Sequence, residues 1–125
     1  MATVLLVDDD DSIREVLRLY AEALGLDVIG EAADGSEAVP LAARLRPDVI
    51  VLDHEMPVMT GLEAMPRLRR RVPDAIIVFY SSGTPTTERA VRALGAAAWV
   101  TKAETPRTVM RTVMELLEAT DRPVV

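Results

Sequence analysis

Val49-Ile50-Val51-Leu52-Asp53-His54-Glu55-Met56-Pro57-Val58-Met59-Thr60-Gly61 is the stretch from which the rest of the chain is best read. Its first four residues are consecutively apolar and three are β-branched, the pattern of a strand buried on both faces. The run stops at a carboxylate, so Asp53 stands at the carboxyl end of that strand. In an open α/β sheet this edge is where ligands bind, because the loops there form a crevice that the helices leave uncovered. Pro57 and Gly61 force a compact loop before a helical pattern begins at Leu62. A single strand-end Asp more often caps a helix or opens a turn, so the meaning of Asp53 depends on its surroundings.

Working outward, the same unit recurs along the chain. Val4 to Val7 is a short apolar strand that runs into four acids, Asp8 to Asp11, and Ser12. Apolar residues then follow at helical spacing, Ile13, Val16, Leu17, Tyr20, Ala21 and Leu24, with Gly25 as a stop. Asp11 or Ser12 is the expected N-cap, and the remaining acids read as solvated charge. Val28-Ile29 is a second short strand, and Asp34-Gly35-Ser36 caps a helix running to Pro47. Pro40 falls inside that helix and should cost a backbone hydrogen bond or bend it. After the Asp53 strand comes a helix from Leu62 to about Arg71, with Pro66 as a second irregularity. Strand four covers Ala75 to Tyr80 and ends at Ser81-Ser82-Gly83. A helix from about Thr86 to Leu94, strand five from Ala97 to Val100, Thr101-Lys102, and a helix from Pro106 complete the chain. Thr120 to Val125 loses periodicity and reads as a frayed tail or the start of a linker, leaving 1–119 as the domain.

Five strands alternating with five helices across short loops imply right-handed crossovers and a parallel sheet covered on both faces. The expected fold is the flavodoxin-like (βα)5 sandwich with strand order 2-1-3-4-5 and a switch point between strands one and three.

A chain of 125 residues is one domain, able to bury roughly two-thirds of its unfolded surface without staples. It has no cysteine, hence no disulfide and no thiolate metal site. A net charge of −6 argues against a nucleic-acid surface. The basic cluster at Arg67-Leu68-Arg69-Arg70-Arg71 reads as the solvated face and last turn of one helix. No apolar run is long enough for a membrane span and no basic n-region precedes the first strand, so a cytoplasmic location is expected.

If strands one and three are neighbours, Asp8, Asp9 and Asp53 converge at one edge. Their mutual repulsion is relieved by a cation, and a hard divalent ion such as Mg²⁺ takes one or two carboxylates and leaves room for a phosphate oxygen. Strand four brings a hydroxyl, Ser81, and strand five an amine, Lys102. A carboxylate nucleophile, a divalent ion, a hydroxyl and an ammonium are the parts needed to receive a phosphoryl group. Lys102 is the chain's one lysine beside thirteen arginines. A compact ammonium on a flexible stem suits a single placed phosphate contact.

From Thr3 to about Ala119 the chain resembles the receiver domain of two-component response regulators. The resemblance is carried by Val7-Asp8-Asp9, by Asp53 with Met56-Pro57 and Gly61, by Ser81-Ser82, and by Gly95-Ala96 ahead of Trp99-Val100-Thr101-Lys102. It implies that Asp53 is the phosphoacceptor, that Asp8, Asp9, Asp53 and the Glu55 backbone carbonyl hold Mg²⁺, and that Ser81 is the switch hydroxyl. Lys102 contacts the phosphate on this reading, and Trp99 occupies an aromatic switch position usually held by Tyr or Phe. The implied role is a signalling switch rather than a metabolic enzyme: it takes a phosphoryl group from a sensor histidine kinase and loses it by hydrolysis. The implied output surface, for a partner or a second copy, is the face of helix four, strand five and helix five, with no nucleic acid bound by the domain itself. Lys102-Ala103-Glu104-Thr105-Pro106 looks like the subfamily with a LuxR-type output, and Ala103 replaces the common Pro, so a cis bond there is not to be assumed and the conformation of that peptide stays open. His54 is expected to face away from Asp53, Glu55 to point toward the site entrance and tune hydrolysis, and Met56, Met59 and Met65 to pack loop and core.

Two rival readings remain at this level. Asp8-Asp9-Asp10-Asp11 after a strand also suits a phosphatase of the haloacid dehalogenase type, with Asp8 as nucleophile and Asp10 as acid/base. A phosphorylation-independent interaction module would keep the fold alone.

Overall fold

A computed structural model of the chain describes residues 1–120, so the tail expected after Ala119 lies, from residue 121 on, outside the described residues. The elements alternate throughout: β1 (Thr3–Val7), α1 (Asp11–Ala23), β2 (Asp27–Ala32), α2 (Gly35–Leu45), β3 (Val49–Leu52), α3 (Gly61–Arg71), β4 (Ile76–Ser81), α4 (Pro85–Ala93), β5 (Ala98–Thr101) and α5 (Pro106–Ala119). The five strands form one sheet of order β2-β1-β3-β4-β5, with every pair parallel. This is the flavodoxin-like arrangement, and β1 and β3 are neighbours as the switch point requires.

Strand alternation divides the core between the two sides of the sheet. Leu5, Val7, Ile50, Leu52, Ile77 and Phe79 face one side and pack with Ala38, Ala42, Ala64, Met65, Leu68 and Val91 of α2, α3 and α4. Val4, Leu6, Val49, Val51, Val78 and Tyr80 face the other, against Leu17 and Ala21 of α1 and Val109, Met110, Val113 and Leu117 of α5. Leu5, Leu6, Ile50, Leu52, Ile77 and Phe79 are fully buried, each contributing roughly 1.5–3 kcal/mol of transfer free energy. Met56 and Met65 are buried and Met59 packs at the margin, as expected of them.

Local departures from the sequence reading have identifiable causes. The α1 N-cap is Asp10, not Asp11 or Ser12: its carboxylate accepts the Ser12 and Ile13 N–H groups, and Asp11 already lies in the first turn. The second strand is six residues rather than two and carries a register shift opposite Val4/Leu5, where it takes in Ile29 as an extra residue. Pro40 and Pro66 both sit within continuous helices. Both prolines are exposed, so water can satisfy the carbonyls they leave without a donor. Of the basic cluster, Arg69 is not simply solvated. Its guanidinium donates to the Pro73 carbonyl at 3.1 Å and to the Ala75 carbonyl, tying the end of α3 to the start of β4. No helix among the described residues is long and apolar enough to cross a membrane.

Candidate functional site

The register of β1 and β3 builds the site. Val7 pairs with Leu52, and the Asp53 N–H donates to the Val7 carbonyl at 3.0 Å, so Asp8 and Asp53 leave adjacent strands side by side. Both are almost fully buried, at 2% and 4% exposure, whereas Asp9 is exposed. One carboxylate oxygen from each of Asp8, Asp9 and Asp53 lies within 4.8 Å of the others. These are hard oxygen donors at a spacing that a divalent cation spans, which fits Mg²⁺ chemistry.

The β5–α5 loop supplies the counter-charge. The Lys102 N–H donates to the Ser81 carbonyl at 3.1 Å, extending the β4–β5 ladder by one residue. From there Lys102 Nζ donates to Asp8 Oδ2 at 2.7 Å and Asp53 Oδ2 at 3.1 Å. Burial pushes the Asp8 carboxyl up, and the Lys102 hydrogen bond recovers only part of that, so it sits above the ordinary carboxylate range. Burial pulls the Lys102 ammonium down, but its bonds to Asp8 and Asp53 outweigh this and hold it above its usual value. Both shifts belong to a site with more carboxylates than cations.

Ser81 is fully buried at the end of β4, and its Oγ accepts the N–H of His54, the residue after Asp53, at 3.3 Å. The His54 ring is engaged elsewhere, as expected: Nδ1 accepts the Leu62 N–H at 3.2 Å, serving the start of α3. The Glu55 N–H donates to Asp53 Oδ1 at 3.3 Å, while its side chain is exposed. Trp99 is half-buried and stacks on Phe79, with ring centroids 5.4 Å apart and planes 12° from parallel. Among the described residues every peptide bond is trans, Lys102-Ala103 included.

Two contributors went unread in the sequence. Tyr80 lies under Lys102, with Nζ 5.9 Å from its ring centroid, and its hydroxyl donates to the Glu104 carbonyl at 2.7 Å. The available signal was a hydroxyl inside a buried strand, which must find a partner. Thr60 and Glu63 form a reciprocal capping box that starts α3 just after the acid-bearing loop, and Thr60-x-x-Glu63 is its sequence signature.

The loop between β3 and α3 also stores strain. Val58 has φ +67°, and the Met59 N–H donates to the Pro57 carbonyl at 2.7 Å, which makes a γ-turn of the rare positive-φ kind. A β-branched residue resists that conformation, and 83% exposure gives the Val58 side chain no packing in return. Val58→Gly is therefore expected to stabilise the fold by about 1 kcal/mol, after the entropy cost of glycine is deducted. Chemical denaturation checks this, and an unchanged or lower midpoint would remove the strain argument.

Comparison with known proteins places this chain in a family. The family model described as response regulator receiver domain matches residues 4–114. A protein-glutamate methylesterase/protein-glutamine glutaminase of Myxococcus xanthus is 42% identical over 96 residues, which is 76% of this chain and 28% of that one. The chain spans under a third of the length of the curated relatives it matches. Among solved structures, a LuxR-family two-component response regulator from Aurantimonas is 30% identical with a TM-score of 0.86, over 95% of this chain and 86% of that one. A chain of the CheX–CheY–BeF3–Mg²⁺ complex from Borrelia burgdorferi is 26% identical with a TM-score of 0.87, over 93% of this chain and 89% of that one. A parallel sheet of order 2-1-3-4-5 that gathers Asp8, Asp53 and Lys102 at one edge, and a family match over nearly its whole length, together make this chain a member of the response regulator receiver domain family of two-component signal transduction.

Proposed function

We propose that residues 1–119 form a phosphorylation switch in which Asp53 is the phosphoacceptor and Asp8, Asp9, Asp53 and the Glu55 backbone carbonyl hold Mg²⁺. The observation that carries this reading is the bridge from Lys102 Nζ to both Asp8 and Asp53, which marks a buried anionic pocket already fitted with one cation. An Asp53 oxygen attacks the phosphorus of a phosphohistidine on a sensor histidine kinase. The new P–O bond replaces the P–N bond, whose electron pair leaves on the imidazole nitrogen. When bound, Mg²⁺ neutralises charge on the transferring group. Lys102 and the Ser81 hydroxyl hold the phosphoryl oxygens, and attack by water on phosphorus later returns the Asp53 carboxylate and inorganic phosphate. The Borrelia burgdorferi CheX–CheY complex with BeF3 and Mg²⁺ supports the same chemistry here.

The output is assigned to the face of α4, β5 and α5, where a partner or a second copy binds, in a cytoplasmic setting. The support is local: Val91 is the one fully buried residue of α4, and β5 is a sheet edge, so few buried contacts oppose a shift there. Trp99, stacked inward on Phe79, reports the state of Ser81 to that face. The LuxR-family neighbour favours the LuxR-type output that Lys102-Ala103-Glu104-Thr105-Pro106 resembles. The phosphatase reading weakens at Asp10. The Ser12 hydroxyl and N–H hold that carboxyl below the ordinary range, and its oxygen is used as a helix cap, whereas an acid/base needs a raised value.

The test is intact mass after incubation with Mg²⁺ and acetyl phosphate. Wild type gains one labile phosphoryl group and Asp53→Ala gains none. A gain that survives the substitution moves the nucleophile to Asp8, and no gain in wild type leaves a binding module.

A further inference from the structure

We propose that Arg14 is a positioning residue for the divalent-ion site, acting through the peptide bond that joins Asp8 to Asp9. The inference rests on the reading of those two acids as ion ligands. All three guanidinium nitrogens of Arg14 are used: Nη1 donates to the Asp8 backbone carbonyl, Nη2 to Asp11 Oδ1, and Nε to Glu31 Oε1 at 3.0 Å. The side chain is 14% exposed, so this is a held group rather than a surface arginine in passing contact.

What Arg14 grips decides its role. Asp8 is already fixed on its own account, because its N–H donates to the Ala32 carbonyl at 3.1 Å and its Oδ1 accepts the Asp10 N–H at 2.9 Å. The exposed Asp9 carboxylate takes no hydrogen bond or ion pair among the described residues. Its direction is set by the backbone entering it, and that backbone is the peptide whose oxygen Arg14 holds. Glu31 in turn anchors Arg14 to β2 and accepts a second arginine, Arg18, whose Nε lies 3.0 Å from Glu31 Oε2. The chain of support therefore runs from an edge strand through Arg14 to the one ion-site acid that nothing else aims.

The sign of the effect separates positioning from charge. Arg14 is a cation near three carboxylates, so if only its charge mattered, removing it would tighten cation binding. If it orients Asp9, removing it weakens binding, and partners that orient metal ligands are typically worth about 10–100-fold in affinity. Arg18 is the matched control, since it shares Glu31 but makes no bond to Asp8.

The experiment titrates Mn²⁺ into the unphosphorylated protein and reads the free ion by electron paramagnetic resonance, with thermal midpoints measured in parallel. Arg14→Ala and Arg14→Lys are both expected to weaken Mn²⁺ binding by about tenfold, because a lysine keeps the charge and loses the fork. Arg18→Ala is expected to lower the midpoint and leave the affinity within twofold of wild type. Tighter binding by Arg14→Ala, or equal losses in the Arg14 and Arg18 variants, overturns the inference. So does normal affinity in Arg14→Ala when Asp9→Asn abolishes binding, and that outcome leaves the reading of the acid cluster standing. If wild type fails to bind Mn²⁺, or Asp9→Asn binds normally, the acid-cluster reading and this inference fall together.

Discussion

Gly61→Ala is expected to destabilise the protein by about 3 kcal/mol, at the upper end of what one inserted methyl costs in a packed interior. A Cβ at Gly61 would stand 2.4 Å from the Asp53 carbonyl oxygen, 2.8 Å from Phe79 Cε2 and 3.0 Å from His54 Cα. Two of those neighbours are backbone, and the third is a ring fixed in the core by its stacking on Trp99. None is the loose end of a flexible side chain, so the methyl is accommodated only by moving the start of α3 away from the end of β3. That movement also breaks the hydrogen bond from the Gly61 N–H to the His54 carbonyl at 3.0 Å. The cost is steric, arising from close approach of two chain segments rather than from an unusual dihedral angle. It falls on the peptide of the proposed acceptor, so acetyl phosphate labelling at Asp53 should drop even at temperatures where the variant is folded. Thermal unfolding should show a midpoint lower by about 10 °C. A variant as stable as wild type and labelled at the wild-type rate would mean that α3 is not tied to Asp53 in this way.

Gly61 also shows how sequence reading succeeds and where it stops. In the sequence the glycine reads as a turn former, which places the loop correctly but not the reason, since a Cβ clash with the Asp53 carbonyl is a three-dimensional fact. The strand ends were legible for a simple cause. β3 and β4 are buried on both faces, so their apolar runs end sharply where the chain reaches the open edge, and Asp53 and Ser81 mark those ends. β2 lies at the sheet edge, is partly exposed and contains Gly30 and Glu31, so hydrophobic continuity showed only Val28-Ile29. The acid run hid the α1 cap because four consecutive Asp residues, all good caps, offer no local way to choose among them. Arg14 gives no local signal of its place, because its partners Asp8 and Glu31 meet it only through the β1–β2 pairing.

Lys102→Met is expected to separate ion binding from phosphoryl chemistry. The ammonium and a divalent cation answer the same excess of negative charge, since Nζ bonds Asp8 Oδ2 and Asp53 Oδ2. Without the ion, the variant leaves two nearly buried carboxylates facing each other and should lose about 2 kcal/mol of stability, in line with the cost of stranding a charged partner. With the ion, part of that loss returns, so Mg²⁺ should raise the thermal midpoint of Lys102→Met more than that of wild type. Mn²⁺ affinity should rise severalfold, opposite in sign to the effect at Arg14. Labelling by acetyl phosphate should nevertheless fall by about 100-fold, the scale for removing one charge-stabilising donor from a transferring group. Tighter ion binding with poor phosphoryl uptake has one physical reading: Lys102 competes with the ion for Asp8 and Asp53 and stabilises the phosphoryl oxygens in transfer. Undiminished labelling would reduce Lys102 to a counter-ion that holds Asp8 and Asp53 together, and would leave the charge of the incoming phosphoryl group to the metal alone.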